Sequence, residues 1–176
     1  MKYIRETSDK VADTIIQMAG IEFNNETSIL EPSAGKGKLI DRLFDQYILD
    51  QNKIKITCVE LNKECCDVLK NKGYNTYNQD FLQFNPNEKY TRIIACPPFK
   101  NNIDLEHIKH MYQLLNYKGI MVSLTSPHWI TNNEENHIQF RQWLEGKEYY
   151  FKMLPDNSFM EKNKTQPTGI LKIVKR

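Results

Sequence analysis

The chain has 176 residues, of which 40% are hydrophobic and 26% are charged, and its formal net charge is +2. This size and mixture are typical of one globular domain, so we expect a single domain over residues 1–176. No apolar run approaches the ~18 residues of a membrane span, and the charged N-terminus lacks the apolar core of a signal peptide. The sequence therefore predicts a cytoplasmic protein without membrane contact.

The cysteines and histidines do not form a metal-binding pattern. The four cysteines show no C-x-x-C spacing, which favours reduced thiols. His107 and His110 have the spacing of a metal-binding pair on one helix, but no third ligand is apparent in the pattern. We therefore expect no metal site.

Strand and helix patterns alternate along the chain. The first helix is predicted in residues 7–20, where apolar residues follow a 3.6-residue period between the cap candidates Thr7 and Ser8 and the closing Gly20. A strand, a glycine-rich turn and a helix follow in residues 27–48. Further strands are predicted within 53–61, 74–82, 90–99, 120–126, 147–154 and 169–176, and further helices within 62–73, 104–119 and 136–146. The alternation predicts an α/β fold with a seven-stranded mixed sheet, whose last hairpin supplies the antiparallel strand and whose faces are both covered by helices.

A glycine-rich turn follows the first predicted strand, in the stretch EPSAGKGK. In open parallel sheets, ligands bind at the carboxyl ends of the strands. Gly35 and Gly37 would let the backbone approach a ligand closely there, and Glu31 offers a carboxylate beside the turn. Because the stretch lacks the complete pattern of a phosphate-binding loop, a tight turn without a ligand also fits it.

Acidic residues end the next two strands. Glu60 ends the second strand, where a carboxylate typically accepts hydrogen bonds from ribose hydroxyls. Asp80 follows the third strand and could accept a bond from an adenine amine, while Phe81 could stack on the base. A solvated Glu60 and a turn-capping Asp80 are the structural alternatives. The conjunction of these groups at successive strand ends predicts a nucleoside pocket.

The fourth strand runs into a rigid loop, ACPPFKN. Two consecutive prolines lack the N–H groups that a central strand needs, so the backbone must leave the sheet there. Cys96 precedes the prolines and Phe99 follows them. The loop therefore presents a thiol and an aromatic ring at a strand end.

Together, these motifs resemble those of class I S-adenosylmethionine-dependent methyltransferases. The closest likeness is to the amino-methyltransferases that act on adenine in DNA, whose motifs usually read D/E-P-S-A-G-x-G and N/D/S-P-P-Y/F/W. The resemblance spans nearly the whole chain and implies a Rossmann-like fold and S-adenosylmethionine as the cofactor. It also puts the helix of His107 and His110 behind the active loop, which implies a structural role for both histidines. The cofactor-binding residues that it implies are Thr7, Ser8, Glu31, Ala34, Gly35, Gly37, Glu60, Leu61, Asp80 and Phe81.

The same resemblance implies a role in catalysis for Cys96, Pro97, Pro98 and Phe99. In this family the loop offers a side-chain oxygen and the carbonyl of the first proline to the target amine, and the aromatic residue stacks on the flipped base. Cys96 departs from the usual Asn, Asp or Ser, and a thiol is a weak acceptor. Four interpretations stay open: a tolerated variant, a degenerate relative, a nucleophile of the kind that cytosine-C5 methyltransferases use, or a buried structural residue.

The resemblance implies methyl transfer to an exocyclic amine, with adenine in DNA or RNA as the target. Transfer to a protein side-chain amide and regulation by cofactor binding without catalysis are the alternatives. The DNA enzymes usually carry a target-recognition region for which this chain leaves no room, so a partner specificity protein could supply recognition. The basic segment around Lys162 and Lys164, together with the loop over 126–136, is the predicted nucleic-acid surface.

Overall fold

The computed structural model describes residues 7–24, 26–47, 54–155, 160–161 and 164–176, with the backbone alone for 160–161 and 164–165. The helices are α1 (Asp9–Ala19), α2 (Lys38–Tyr47), α3 (Lys63–Asn71), α4 (Ile103–Leu114) and α5 (Glu135–Leu144). The strands are β1 (Ser28–Glu31), β2 (Lys55–Glu60), β3 (Asn75–Asn78), β4 (Tyr90–Ala95), β5 (Leu115–Thr125), β6 (Glu148–Met153), β7 (Met160–Glu161), β8 (Lys164–Thr165) and β9 (Gly169–Val174).

The main sheet has the strand order β3-β2-β1-β4-β5-β9-β6. Strands β1 to β5 pair in parallel, and β9 is inserted antiparallel between β5 and β6. The predicted seven-stranded mixed sheet with a terminal antiparallel strand is thus confirmed. The chain crosses from one side of β1 to the other between β3 and β4, and this reversal opens a crevice at the carboxyl ends of the strands.

Two hydrophobic clusters cover the two faces of the sheet. Successive strand residues alternate between the clusters, as in Ile29 and Leu30 of β1. Helices α1, α2 and α3 bury apolar residues in the cluster that contains Ile29, and α4 and α5 bury theirs in the cluster that contains Leu30. The prediction of helices on both faces is therefore confirmed.

The structure corrects one boundary and adds one ladder. Helix α4 was predicted to continue to Gly119, but it ends at Leu114 and β5 begins at Leu115. The cause is tertiary: the Lys118 N–H donates to the Lys175 carbonyl at 2.8 Å, and the Lys175 N–H donates to the Gly119 carbonyl at 3.0 Å, which draws this segment into the sheet. The segment over 155–168, where no strand was predicted, contains the β7–β8 ladder.

The helices of the described residues are too short or too polar to cross a membrane.

Candidate functional site

A cleft of about 320 Å³ opens where β1, β2 and β4 end and where the chain leaves β3. Most of the predicted strand-end residues meet there. The residues that line it are Pro32, Ser33, Gly35, Glu60, Leu61, Asn62, Cys65, Gln79, Asp80, Phe81, Cys96, Pro98, Ile103 and His107. In open α/β sheets, ligands bind at the carboxyl ends of the strands where the strand order reverses, and the cleft lies at that place.

Glu60 is fixed in the cleft by two main-chain donors. Its Oε2 accepts a hydrogen bond from the Gly35 N–H at 2.8 Å, and its Oε1 accepts one from the Asn62 N–H at 2.7 Å. The carboxylate therefore joins the glycine-rich turn to the start of α3. Since each carboxylate oxygen can accept more than one bond, Glu60 keeps acceptor capacity for a ligand in the cleft.

The glycine-rich turn is also held from behind. Lys72 Nζ donates to the Lys36 carbonyl at 2.7 Å and to Asp41 Oδ2 at 2.5 Å. The Tyr74 hydroxyl donates to the other oxygen of Asp41 at 2.9 Å. The turn is thus fixed between Glu60 on the cleft side and Lys72 on the opposite side.

The two glycines of the turn have different roles. Gly35 lines the cleft and has a φ of 53°, in the left-handed region that glycine adopts without strain. Gly37 has a φ of 88° and does not line the cleft, and a Cβ atom there would lie 2.8 Å from Leu69 Cδ2. Gly37 therefore allows the turn to pack against α3, and its predicted approach to a ligand stays a prediction.

Leu61, Asp80 and Phe81 all line the cleft, as the resemblance implied. Leu61 is 62% exposed, which is unusual for a leucine and leaves its apolar surface open at the end of β2. Asp80 Oδ1 accepts a hydrogen bond from the Leu82 N–H at 2.9 Å. The capping role that was the structural alternative for Asp80 is therefore present, and the second oxygen of this carboxylate can still accept a bond from a ligand.

His107 is a residue of the cleft that the sequence analysis assigned to structure alone. Its ring centroid lies 5.1 Å from that of Phe81, and its Nδ1 lies 3.5 Å from Ser33 Oγ. Burial lowers the pKa of His107 to about 4, so the ring is neutral near pH 7. The neutral imidazole is tilted by 53° from the Phe81 ring and adds aromatic surface to the wall of the cleft.

His110 does not share the site with His107. Its Nε2 lies 2.9 Å from the Phe84 carbonyl, and its ring packs edge-on against Phe81. Within the described residues, no group of three His, Cys, Asp or Glu side chains could hold a metal ion.

Only two of the four residues that were predicted to act in catalysis in the loop after β4 line the cleft. Cys96 and the exposed Pro98 line it, whereas Pro97 is buried and Phe99 is 7% exposed, with its side chain in the cluster that α1 covers. Asn101 follows with a φ of 59°, a left-handed conformation that turns the chain into α4. The Phe99 ring therefore packs in the core, and its predicted stacking on a substrate base stays a prediction.

The thiol of Cys96 contacts the segment before α1. Thr7 Oγ1 donates a hydrogen bond to Cys96 Sγ at 3.0 Å. Burial raises the pKa of Cys96 to about 12, so the thiol is protonated near pH 7. A protonated thiol is a poor nucleophile, which argues against the interpretation of Cys96 as a covalent catalyst.

Glu31 lies behind the cleft. It is 2% exposed and does not line the cleft, but it directly precedes Pro32 and Ser33, which do. Its Oε2 has no hydrogen-bond partner among the described residues. Burial, and then the negative charges of Asp41 and Glu60, raise the pKa of Glu31 well above its usual range. A cation bound next to it would lower that pKa.

The other predicted residues lie around the cleft rather than in it. Thr7, Ser8 and Ala34 do not line it, and Ser8 is the residue before α1. Their contacts with a cofactor remain predictions.

The predicted nucleic-acid surface is only partly described. The loop over 126–136 does not line the cleft, but Asn102 Nδ2 donates to Glu134 Oε2 at 3.4 Å, which joins this loop to the start of α4. Arg141 donates to the carbonyls of Trp129 and Asn132 and so fixes the loop against α5. Lys162 lies outside the described residues, as does the side chain of Lys164.

Comparison with solved structures identifies the fold. The methyltransferase subunit of a type I restriction-modification system from Streptococcus thermophilus superposes with a TM-score of 0.84 and 19% identity, over 98% of this chain and 45% of that one. A Listeria monocytogenes protein, provisionally assigned as a class I S-adenosylmethionine-dependent methyltransferase, gives 0.76 and 12%, over 99% and 62%. The M protein of the type I restriction enzyme EcoKI gives 0.75 and 15%, over 97% and 44%. This chain has the class I methyltransferase fold.

The class I methyltransferase fold agrees with the strand order and with the position of the cleft. No protein-family model and no curated protein sequence matches the chain. The chain spans between 44% and 62% of the length of the three structures described above.

Proposed function

We propose that the chain binds S-adenosylmethionine in the cleft and transfers its methyl group to an exocyclic amine, that of adenine in DNA or RNA. The observation that carries the proposal is the convergence of Gly35, Glu60, Asp80 and Phe81 with Cys96 and Pro98 in one cleft. The likeness to type I restriction-modification methyltransferase subunits supports adenine in DNA as the target.

The donor and acceptor groups of the cleft fit this cofactor. The carboxylate of Glu60 lines the cleft and keeps acceptor capacity for vicinal hydroxyls, and Leu61, Phe81 and His107 provide apolar and aromatic surface for adenine. The unpartnered oxygen of the buried Glu31 lies beside residues of the cleft and would gain from a cationic ligand. S-adenosylmethionine carries cationic ammonium and sulfonium groups, and when bound it supplies an electrophilic methyl group.

The residues of the chain would act mainly by positioning. Glu60 would hold the ribose, and Asp80 would accept a bond from the adenine amine. Pro97 itself is buried and does not line the cleft, but its main-chain carbonyl would accept an N–H of the target amine, and such a bond would direct the nitrogen lone pair. Cys96 Sγ is a weak second acceptor that already takes a bond from Thr7. We therefore expect slow transfer.

A cofactor-binding module without catalysis is the second candidate. It is favoured by the burial of Phe99 in the core and by the protonated thiol at position 96. Such a module would keep the contacts of Glu60, Asp80 and Phe81 and would regulate through cofactor occupancy. Transfer to a protein side-chain amide is a further alternative, because related proline-proline loops accept amides.

A transfer assay with tritiated S-adenosylmethionine separates these functions. Parent and Cys96→Asn would be tested on DNA, RNA and protein extracts, with cofactor affinity measured alongside. Restoring a side-chain oxygen should raise transfer to adenine-containing nucleic acid about tenfold, as one hydrogen bond of ~1.4 kcal/mol in the transition state would give. Bound cofactor with no transfer by either protein supports the non-catalytic module, and labelled protein supports the amide enzyme.

Recognition of the nucleic acid is also part of the proposal. The chain is proposed to contact nucleic acid directly or through a partner specificity protein, using the basic segment near Lys162 and Lys164. Because few phosphates would be contacted, binding should be weak and should fall with rising salt. Salt-insensitive binding would contradict this surface.

A further inference from the structure

Strand β6 forms one edge of the main sheet and exposes large apolar side chains. It is six residues long, and among the described strands it pairs with β9 alone. Tyr149 is 47% exposed, Tyr150 55% and Met153 47%. The main-chain groups of an edge strand can pair with a further strand, and exposed aromatic side chains beside them are typical of an interaction surface.

The aromatic side chains point to both faces of this edge. Tyr149 lies opposite Ile173, which belongs to the cluster covered by α4 and α5, and Tyr150 lies opposite Lys172 on the other face. The strand therefore offers a tyrosine on each face as well as its outward main-chain donors and acceptors. An additional antiparallel strand would contact the tyrosine on each face and would form hydrogen bonds with the outward main-chain groups.

The charges of β6 are symmetric about Tyr150. Glu148 lies two residues before it and Lys152 two residues after it, so all three side chains share one face. Glu148 forms an ion pair with Arg176 of its own chain. In an antiparallel pair of two β6 strands centred on Tyr150, Glu148 of each copy also faces Lys152 of the other. Tyr149 then faces Phe151, which gives an aromatic pair on the opposite face.

Other alignments of the two strands are less favourable. A shift of one residue would place side chains of opposite faces across from each other, which a continuous sheet does not allow. A shift of two residues in one direction places Tyr150 opposite Lys152 and moves Glu148 beyond the pair. A shift of two in the other direction moves Lys152 beyond the pair. Only the alignment centred on Tyr150 joins both charges.

We propose that β6 is the interface of a homodimer, in which two copies pair antiparallel about a two-fold axis at Tyr150. The interface is isologous, because the same strand serves both copies. Three strand spacings, about 14 Å, separate β6 from β4, so the dimer leaves both clefts open. The inference does not depend on the proposed catalytic function.

Sedimentation equilibrium from about 1 to about 200 µM tests the dimer, because self-association responds to concentration. The parent should pass from monomer to dimer in this range. Lys152→Glu places like charges opposite each other twice per dimer and should weaken association at least about tenfold. Glu148→Lys should do the same, and the double variant Glu148→Lys with Lys152→Glu should restore association. Lys70→Glu, on the exposed side of α3, is the matched control and should not change it.

The double variant exchanges the two charges and removes neither, so it distinguishes a lost charge pair from a misfolded protein. Circular dichroism and thermal melting would first show that each variant is folded. A monomeric parent at every concentration overturns the proposal, and that is the result expected if the edge instead binds an extended segment of a different protein. A dimer that the single variants do not weaken, or that the double variant does not restore, overturns it as well.

Discussion

Glu60→Ala is the substitution that perturbs the proposed cofactor site most directly. In the free protein the carboxylate bonds the Gly35 N–H at 2.8 Å and the Asn62 N–H at 2.7 Å. In the complex it would also accept the two ribose hydroxyls. Loss of that acceptor should cost about 2 to 3 kcal/mol of binding free energy, which is roughly a hundredfold in affinity.

Calorimetric titration with S-adenosylhomocysteine, compared across variants, measures this effect. Glu60→Gln keeps one oxygen acceptor and the side-chain volume, so its affinity should lie between those of the parent and Glu60→Ala. Glu64→Ala, on the exposed face of the first turn of α3, removes a nearby carboxylate that does not line the cleft and should leave affinity unchanged. Thermal melting of each variant separates lost affinity from lost stability.

If Glu60→Ala binds the ligand as tightly as the parent while both are folded, the ribose is not held at the end of β2. If Glu64→Ala weakens binding as much as Glu60→Ala does, general electrostatics would explain the loss instead of the proposed hydrogen bonds.

Three further predictions concern residues around the cleft. Lys72→Met should lower cofactor affinity and leave the melting temperature nearly unchanged, since Lys72 holds the turn through the Lys36 carbonyl. Equal affinity of parent and variant in the titration would contradict this. Gly37→Ala should destabilise the fold by about 1 to 3 kcal/mol in urea unfolding, because its Cβ would meet Leu69 and its φ is positive; unchanged stability would argue against the packing role. Burial lowers the pKa of His107 to about 4, below its value of 6.5 in the unfolded chain, so the unfolded state binds more protons between these values. Stability of the parent should therefore fall by up to about 3 kcal/mol as the pH drops from about 6.5 to about 4, and His107→Gln should lack this part of the decline; parallel pH profiles would contradict the assignment.

The strands and the turns at their ends depend mainly on nearby residues, so local sequence patterns predicted the sheet and most of the residues at its strand ends. The strand-then-helix repeats gave the seven strands, and the glycine-rich turn and Glu60 were correctly placed at neighbouring strand ends. In a parallel sheet, residues that end adjacent strands meet whatever the intervening helices do.

Features that depend on distant contacts could not be predicted in this way. The end of α4 is set by bonds between Lys118 and the C-terminal segment, which no local pattern contains. The burial of Phe99 follows from the packing of α1 against the sheet, whereas a family motif describes only its neighbours in sequence. The position of His107 in the cleft was not predicted, because helical spacing does not tell which face of α4 meets the cleft.

Photochemical crosslinking with methyl-tritiated S-adenosylmethionine tests the central claim most directly. Ultraviolet irradiation of the complex, followed by proteolysis and peptide mapping, locates the bound cofactor without requiring a methyl acceptor. The proposed site predicts label on peptides that contain Leu61, Asp80 with Phe81, or His107, and loss of that label when S-adenosylhomocysteine is added in excess. Label on other parts of the chain, or label that the competitor does not displace, would contradict the assignment of this cleft to the cofactor.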